Sequence, residues 1–254
     1  MKFDEIIAKA LEVLKGGGVI LYPTDSVWGL GCDATNEKAV KRIFEIKRRS
    51  EAKSLVLLAA DMDMICRYVK QIPSIAIDLV EVNDSPMTIV YPGAQGIAPS
   101  AVAEDGSVGI RIPLVPQRED ADSISPRQGD MGAWPGGRTF RKNQKLPEGK
   151  GLTPSAADGG RMQKPVLCGA EFCRQIARKL RRPLVSTSAN ISGEATPACF
   201  GDISEEIASA VDFVVPVNFG DGAGHSLSFD SFASGKPSQI IKLGLRGEVE
   251  IIRR

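Results

Sequence analysis

The alternation of short apolar runs with amphipathic segments restricts the fold of this 254-residue chain more than any other feature. Residues 3–14 place apolar side chains at helical spacing, glycines at 16–18 end that helix, and residues 19–22 are typical of a buried strand. A second helix is predicted at 37–47, with Asn36 as its N-cap. This order predicts an α/β (mixed α+β) domain, with a twisted mixed sheet flanked by helices.

The same pattern continues along the chain. Further strands are predicted at 54–60, 87–91, 108–112, 184–186, 211–215, 239–243 and 248–252. Further helices are predicted at 65–79, where Pro73 interrupts, and at 172–180.

One long segment breaks the pattern. From about Leu114 to Ala170 hydrophobic periodicity is lost, and Gly, Pro, Ser and charged residues dominate. Structureless loops of this length are uncommon inside compact domains, and polar ones are most often disordered. We interpret 1–254 as a single domain interrupted at 114–170, and three roles stay open for the insertion: a lid, an obstruction or a bystander. A shorter segment, 218–235, is predicted to be a second mobile loop.

Composition excludes several classes of function. The formal net charge is +1, from 32 basic and 31 acidic side chains, which argues against a surface devoted to nucleic acid but allows a local basic cleft. The five cysteines are scattered and the one histidine is His225, so neither a metal site nor a histidine triad is predicted. With no membrane-length apolar run and no signal peptide pattern, we expect a cytoplasmic protein.

The first candidate for chemistry follows the first predicted strand. Thr24, Asp25 and Ser26 place two hydroxyls and a carboxylate where open α/β sheets bind ligands, and Gly29 and Gly31 would let the backbone approach a ligand. The alternative is an ordinary turn with a helix cap.

Two further segments offer donors to an anion. Lys47, Arg49 and Lys53 could clamp phosphates, although a solvated basic helix end explains them equally well. Ser186, Ser188 and Asn190, which follow an apolar run, supply neutral hydroxyl and amide groups but also suit turns.

Arg111 is the most unusual single residue. It lies within the apolar run 108–113, where an arginine needs a partner, either a carboxylate or a ligand phosphate.

Together these segments resemble the YrdC/Sua5 family. Residues 24–31 resemble its Pro-Thr-(Asp/Glu)-Thr-Val-Tyr-Gly-Leu-Gly signature, 47–49 its Lys-x-Arg motif and 188–190 its Ser-x-Asn motif. Residues 108–113 and 236–241 are similar to two further family segments, and all five occur in the family order. The resemblance covers about residues 5–113 and 171–254. It implies a YrdC/RibB-like sheet and, because nothing is seen to follow Arg254, the short single-domain form.

The resemblance also implies an activity. Members of this family are nucleotidyltransferases (L-threonylcarbamoyladenylate synthases): L-threonine and bicarbonate form a carbamate that attacks the α-phosphorus of Mg-ATP. Pyrophosphate leaves, and tRNA threonylcarbamoyltransferase proteins later transfer the threonylcarbamoyl group to adenosine 37 of tRNA. Mg²⁺ is implied only as the companion of ATP.

Carried over by motif, the resemblance assigns roles to individual residues. Lys47 and Arg49 are the expected catalytic pair, and Thr24 and Ser26 are expected at the threonine end. The residues expected to bind ATP are Arg49, Lys53, Thr88, Arg111, Ser186, Ser188 and Asn190. Three positions depart from the family pattern: Ser26 replaces a threonine, Trp28 a tyrosine, and Pro92 a basic residue whose contact with the threonine carboxylate is then in doubt.

Other classes of function stay open at this point. One is an RNA-binding or ribosome-maturation module without catalysis, which the charge balance does not favour but which allows weak tRNA binding. Another is a carbamoyl-transferring module of hydrogenase maturation, whose accessory domains have no counterpart here. A third is an inactive paralogue.

Overall fold

The computed structural model describes residues 1–50, 55–114, 169–220, 226–229 and 238–253. The elements described below all lie in one compact unit that combines Met1–Val115 with Leu167–Arg254. The insertion predicted at 114–170 falls almost wholly outside the described residues, as do Lys53 and His225. The interrupted single domain therefore stays a prediction.

Six α-helices form in the described ranges. They are α1 (Phe3–Lys15), α2 (Glu37–Ile46), α3 (Met62–Tyr68), α4 (Ser74–Val82), α5 (Gly169–Leu180) and α6 (Glu205–Ala210). The predicted N-cap of α2 is confirmed, because the Asn36 side chain accepts hydrogen bonds from the main-chain N–H groups of Lys38 and Ala39. Pro73 separates α3 from α4 as expected. None of the described helices is long and apolar enough to cross a membrane.

The described strands are short and follow the predicted order with additions. They are β1 (Ile20–Tyr22), β2 (Gly29–Gly31), β3 (Val56–Leu58), β4 (Met87–Tyr91), β5 (Val108–Arg111), β6 (Leu184–Ser188), β7 (Phe213–Val214), β8 (Asn218–Gly220), β9 (Ser226–Ser228), β10 (Gln239–Leu243) and β11 (Val249–Arg253).

Nine of these strands form one sheet in the order β11-β10-β4-β5-β3-β6-β2-β1-β7. Its pairs β1–β7, β3–β5 and β4–β10 are parallel and the others antiparallel, so the predicted mixed sheet is confirmed. Strands β3 and β6 lie next to each other near its middle.

Helices cover both faces of this sheet. Adjacent side chains of a strand point to opposite faces, and Leu57 and Leu58 of β3 accordingly belong to two different apolar clusters. Helices α2, α3 and α4 pack into the Leu57 cluster, whereas α1 and α6, with Phe172 and Ile176 of α5, pack into the Leu58 cluster. The result is a three-layer α/β arrangement.

Two expectations about loops are wrong. The Gly-Leu-Gly segment, which the alternative interpretation assigned to a turn, is strand β2, which pairs with both β1 and β6. The prediction of a mobile loop at 218–235 is wrong for residues 218–220 and 226–228, because Asn218 pairs with Ser228 and Phe219 with Leu227 in the small β8–β9 sheet. Residues 221–225 and 230–235 of that segment lie outside the described residues.

Candidate active site

The turn after β1 is held by the hydroxyl of Thr24. Its Oγ1 accepts hydrogen bonds from the main-chain N–H groups of Ser26 (3.1 Å) and Val27 (3.2 Å) and donates to the Val27 carbonyl oxygen (2.7 Å). The Ser26 hydroxyl lies 3.0 Å from the same atom. Because the single hydroxyl hydrogen of Thr24 is given to Val27, Ser26 is the donor in that contact. Residues 24–27 thus form a turn, as the alternative interpretation held, but strand β2 and not a capped helix follows it. The Ser26 side chain can still belong to a site.

Arg111 brings strand β5 to this turn. Its Nη2 lies 2.8 Å from Oδ1 of Asp25 in an ion pair without hydrogen-bond geometry, and it donates to the Ser26 hydroxyl at 3.3 Å. The side chains of Arg111 and Asp25 are only 4% and 7% exposed. The partner that a strand-embedded arginine requires is therefore a carboxylate of the protein itself.

Lys47 joins the second and third sequence segments. Its Nζ donates to the carbonyl oxygens of Ser188 and Asn190, and it lies 3.4 Å from the Asn190 side-chain oxygen. The Asn190 amide nitrogen donates to the carbonyl oxygens of Ile191 and Glu194. Burial, and then the charge of Arg49, lower the pKa of Lys47 to about 8. At neutral pH most of it is protonated, so an ammonium group holds the turn after β6.

The backbone conformation of Arg48 makes the side chains of Lys47 and Arg49 point in different directions. Its φ is +48°, a left-handed conformation that follows the end of α2 and closes the helix with hydrogen bonds from Arg48 N to Glu45 O and from Arg49 N to Phe44 O. Lys47 is consequently buried beneath the turn after β6, whereas Arg49 faces the cleft described below. Burial lowers the pKa of Arg49, but a guanidinium stays charged at neutral pH.

A third arginine reaches the site from the last described strand. Arg253 donates through Nε (2.9 Å) and Nη2 (2.6 Å) to the carbonyl oxygen of Ser238. The register pairs Ile240 with Arg253 but Ile241 with Ile251, so β11 carries one extra residue and the resulting bulge sets the direction of Arg253. Ser238 in turn contacts Thr88, whose hydroxyl lies 2.8 Å from its own.

These elements surround one cleft of about 290 Å³. Its walls combine three guanidinium groups, seven hydroxyl groups and a few apolar side chains. The lining residues are Thr24, Ser26, Val27, Gly29, Arg49, Leu55, Val56, Arg111, Ser186, Thr187, Ser188, Thr196, Ser238, Ile240 and Arg253. Among the described residues, no carboxylate or histidine lines it. Such a cleft favours a ligand with several negative charges.

The cleft unites most of the sites expected from the sequence. Thr24, Ser26, Arg49, Arg111, Ser186 and Ser188 all line it. Lys47, Thr88 and Asn190 lie behind its wall, each bonded to a lining residue or its turn. Lys53 lies outside the described residues.

Sequence reasoning missed Thr196, Ser238 and Arg253. Arg253 carried a readable signal, because it ends the apolar strand Val249–Arg253 as Arg111 ends Val108–Arg111. The two hydroxyl residues carried none, since Ser and Thr are common in loops.

One glycine serves packing and not a ligand. A Cβ on Gly31 would lie 2.6 Å from the Tyr22 ring and 2.8 Å from the Val185 carbonyl oxygen. The expectation that Gly31 admits a ligand is therefore wrong, whereas Gly29 does line the cleft.

The fold and the cleft define a class: a three-layer α/β protein with an arginine-rich, hydroxyl-rich cleft beside the central strands. The sequence model of the Sua5/YciO/YrdC family, described as "Telomere recombination", matches residues 12–119 and 133–254. Because this match covers most of the chain, the chain belongs to that family, as its motifs predicted.

Named relatives and solved structures agree with this assignment. The chain is similar to the threonylcarbamoyl-AMP synthase of Idiomarina loihiensis, with 28% identity over 207 residues, 81% of this chain and 83% of the relative. It resembles E. coli YciO with a TM-score of 0.62 and 18% identity, over 98% of this chain and 89% of YciO.

The structure of P. abyssi Sua5 complexed with L-threonine gives a TM-score of 0.62 at 21% identity, over 96% of this chain. The chain spans about half (52%) of that Sua5 chain. These likenesses to solved structures confirm the fold.

Proposed function

We propose that this chain is a threonylcarbamoyl-AMP synthase, a nucleotidyltransferase that acts on L-threonine, bicarbonate and ATP. The observation that carries the proposal is the cleft, where Arg49, Arg111 and Arg253 meet the hydroxyls of two family signature segments. The name of the Idiomarina loihiensis relative and the L-threonine bound to P. abyssi Sua5 support it.

The proposed chemistry suits these residues. The threonine amine attacks the carbon of bicarbonate, water leaves, and a carbamate forms. A carbamate oxygen then bonds to the α-phosphorus of ATP while the bond to the pyrophosphate oxygen breaks. In-line displacement of this kind depends on positioning and on stabilising charge, which guanidinium and hydroxyl groups supply without a protein nucleophile.

We assign the threonine end to the turn after β1. Ser26 and Arg111 are 3.3 Å apart, so they serve one subsite, although sequence reasoning gave Arg111 to ATP. Arg111 would bind the threonine carboxylate, a role that needs no basic residue at the position of Pro92. Thr24 contributes by fixing the turn.

We assign the phosphate end to Arg49 and Arg253, with the hydroxyls of Ser186, Ser188 and Thr196 as neutral donors. Charge-assisted contacts from two arginines match the charge that develops on a departing pyrophosphate. Lys47 and Asn190 would act by holding the Ser188 turn, and Thr88 by holding Ser238. The ATP contact of Lys53 stays a prediction.

Mg²⁺ would enter with the phosphates of ATP. Among the described residues, no group of three or more His, Cys, Asp and Glu side chains could hold an ion, and the nearby Asp25 is paired with Arg111. These described residues do not fit a resident metal.

The product would pass to tRNA threonylcarbamoyltransferase proteins that modify adenosine 37 of tRNA. A cytoplasmic location and a weak direct contact with tRNA also stay predictions.

Pyrophosphate release tests this function. The full chain would receive Mg-ATP, L-threonine and bicarbonate, with each substrate omitted in turn and D-threonine as a matched control. We expect release only when all three substrates are present and little with D-threonine. Pyrophosphate release that continues unchanged when threonine is omitted would contradict the proposal. Salt-dependent RNA binding without any pyrophosphate release would also contradict it.

A further inference from the structure

We propose that Asp25 is a positioning residue that orients Arg111 for the carboxylate of the amino-acid substrate. This inference rests on the proposed function and extends it to a residue that does not line the cleft. It starts from the buried ion pair between Asp25 and Arg111, which connects the turn after β1 to the end of β5.

The two terminal nitrogens of Arg111 have different surroundings. Nη2 contacts both Asp25 and Ser26, whereas Nη1 is buried without a hydrogen-bond partner among the described residues. A buried guanidinium donor without a partner is costly, and Arg111 lines the cleft. The protein thus satisfies one side of the guanidinium, and the other side keeps an unused donor in a residue that lines the cleft.

The second oxygen of Asp25 fixes the carboxylate itself. Oδ2 accepts a hydrogen bond from the main-chain N–H of Leu114 at 3.4 Å, three residues beyond Arg111. Asp25 is therefore tied to the segment that carries the arginine by both of its oxygens. Asp25 lies between Thr24 and Ser26, so its contacts with Arg111 and Leu114 fix the same turn whose Ser26 hydroxyl is proposed to meet the substrate.

Asp25 has two opposing effects on Arg111: it lowers the net charge of the site, and it fixes the direction of the guanidinium group. The carboxylate of Asp25 neutralises part of the Arg111 charge, which by itself would weaken attraction for a substrate carboxylate. Its benefit lies in a fixed guanidinium direction, since a preorganised donor costs less to align during binding. Removing Asp25 should consequently weaken threonine binding even though it leaves the site more positive.

The test compares Asp25→Asn with the wild-type full chain in the pyrophosphate assay. We expect the KM for L-threonine to rise at least tenfold and the KM for ATP to change less than twofold. Asp25→Glu, which restores the charge on a longer side chain, should recover part of the threonine KM. Asp33→Asn is the matched control, because Asp33 is also a buried carboxylate paired with an arginine, Arg182, but away from the cleft. It should leave the threonine KM unchanged.

A double-mutant cycle shows whether Asp25 acts through Arg111. Arg111→Met alone and Arg111→Met combined with Asp25→Asn should have the same threonine KM. Additive effects, or an unchanged threonine KM in Asp25→Asn, would overturn the inference. If Asp25→Asn does not fold, the same comparison is made with Asp25→Glu. Equal changes in its KM for L-threonine and its KM for ATP would then overturn the inference. A wild-type chain that never requires threonine contradicts the proposed function instead.

Discussion

Nζ of Lys47 lies 2.6 Å from the carbonyl oxygen of Asn190, and this hydrogen bond joins two segments that are 143 residues apart in the chain. The same ammonium also donates to the Ser188 carbonyl, while the Lys47 carbonyl accepts from the Ser192 N–H. The wall of the cleft that carries Ser188 is therefore supported from below by one lysine. Two sequence motifs that could each bind a ligand form one structural unit.

The buried Lys47 should make stability depend on pH. Its pKa is lowered from 10.5 to about 8, so between these values the unfolded chain binds more protons than the folded one. Stability should therefore rise with pH in that window. Relative to Lys47→Met, the wild type should gain about 2 kcal/mol in unfolding free energy from pH 8 to pH 10.

Urea denaturation at several pH values measures this difference. Lys41→Met removes an exposed ammonium from helix α2, which ends just before Lys47, and is the matched control. Identical pH dependence in wild type and Lys47→Met would contradict the buried ammonium.

Loss of the Arg49 side chain should reduce turnover strongly. Arg49→Ala removes a charge-assisted donor from the phosphate end of the cleft, which should cost about 2–4 kcal/mol of transition-state stabilisation, or roughly 30- to 900-fold in kcat/KM. Arg48→Gly is the control, since it removes an exposed arginine at a φ of +48° that glycine adopts without strain. Equal activity of wild type and Arg49→Ala would remove Arg49 from the mechanism.

Arg253 should matter although it comes from the last described strand. Arg253→Ala removes both the cleft charge and the donors to the Ser238 carbonyl, which should cost about 1–3 kcal/mol. We expect the KM for ATP to rise roughly 5- to 150-fold, measured at saturating threonine. Arg246→Ala changes an exposed arginine in the turn before β11 and should behave like the wild type. A KM for ATP that does not change in Arg253→Ala would exclude this arginine from the phosphate end.

A methyl group added at Gly169, at the start of α5, should displace the Thr24 turn although Gly169 does not line the cleft. A Cβ there would lie 2.3 Å from the Thr24 carbonyl oxygen and 2.7 Å from its carbon, both backbone atoms that cannot easily move away. Gly169→Ala should therefore cost about 1–3 kcal/mol of stability and raise the KM for L-threonine. Gly220→Ala, where a Cβ meets nothing within 4 Å, is the control in thermal unfolding and kinetics. If the two variants behave alike, α5 does not fix the position of the Thr24 turn.

Hydrophobic periodicity predicted most of the helices and strands, because the residues that each of them buries follow the spacing of apolar residues in the sequence. Helix α1 alternates buried and exposed faces, and β10 (Gln239–Leu243) was predicted with its observed bounds. Strand β2 was missed because its Gly-Leu-Gly sequence has low strand propensity. It is a strand because β1 and β6 bind it on both sides and because only a glycine at position 31 fits beside Tyr22.

The site was predictable as a set of residues but not as a set of contacts. The motifs indicated Lys47 and Asn190, yet only the fold shows that they bind each other and lie behind the cleft. Arg253 needed the register of β10 and β11, because one extra residue in a strand changes the face to which a side chain points. The partner of Arg111 was expected to be a carboxylate or a ligand, and sequence alone could not decide between them.

Mass spectrometry of the reaction product tests the central claim most directly. The full chain would be incubated with Mg-ATP, L-threonine and ¹³C-bicarbonate, with unlabelled bicarbonate in parallel. We predict threonylcarbamoyl-AMP that is heavier by one mass unit with the label and absent when threonine is omitted. AMP or ADP formed without any labelled conjugate, or no nucleotide product at all, would contradict the account.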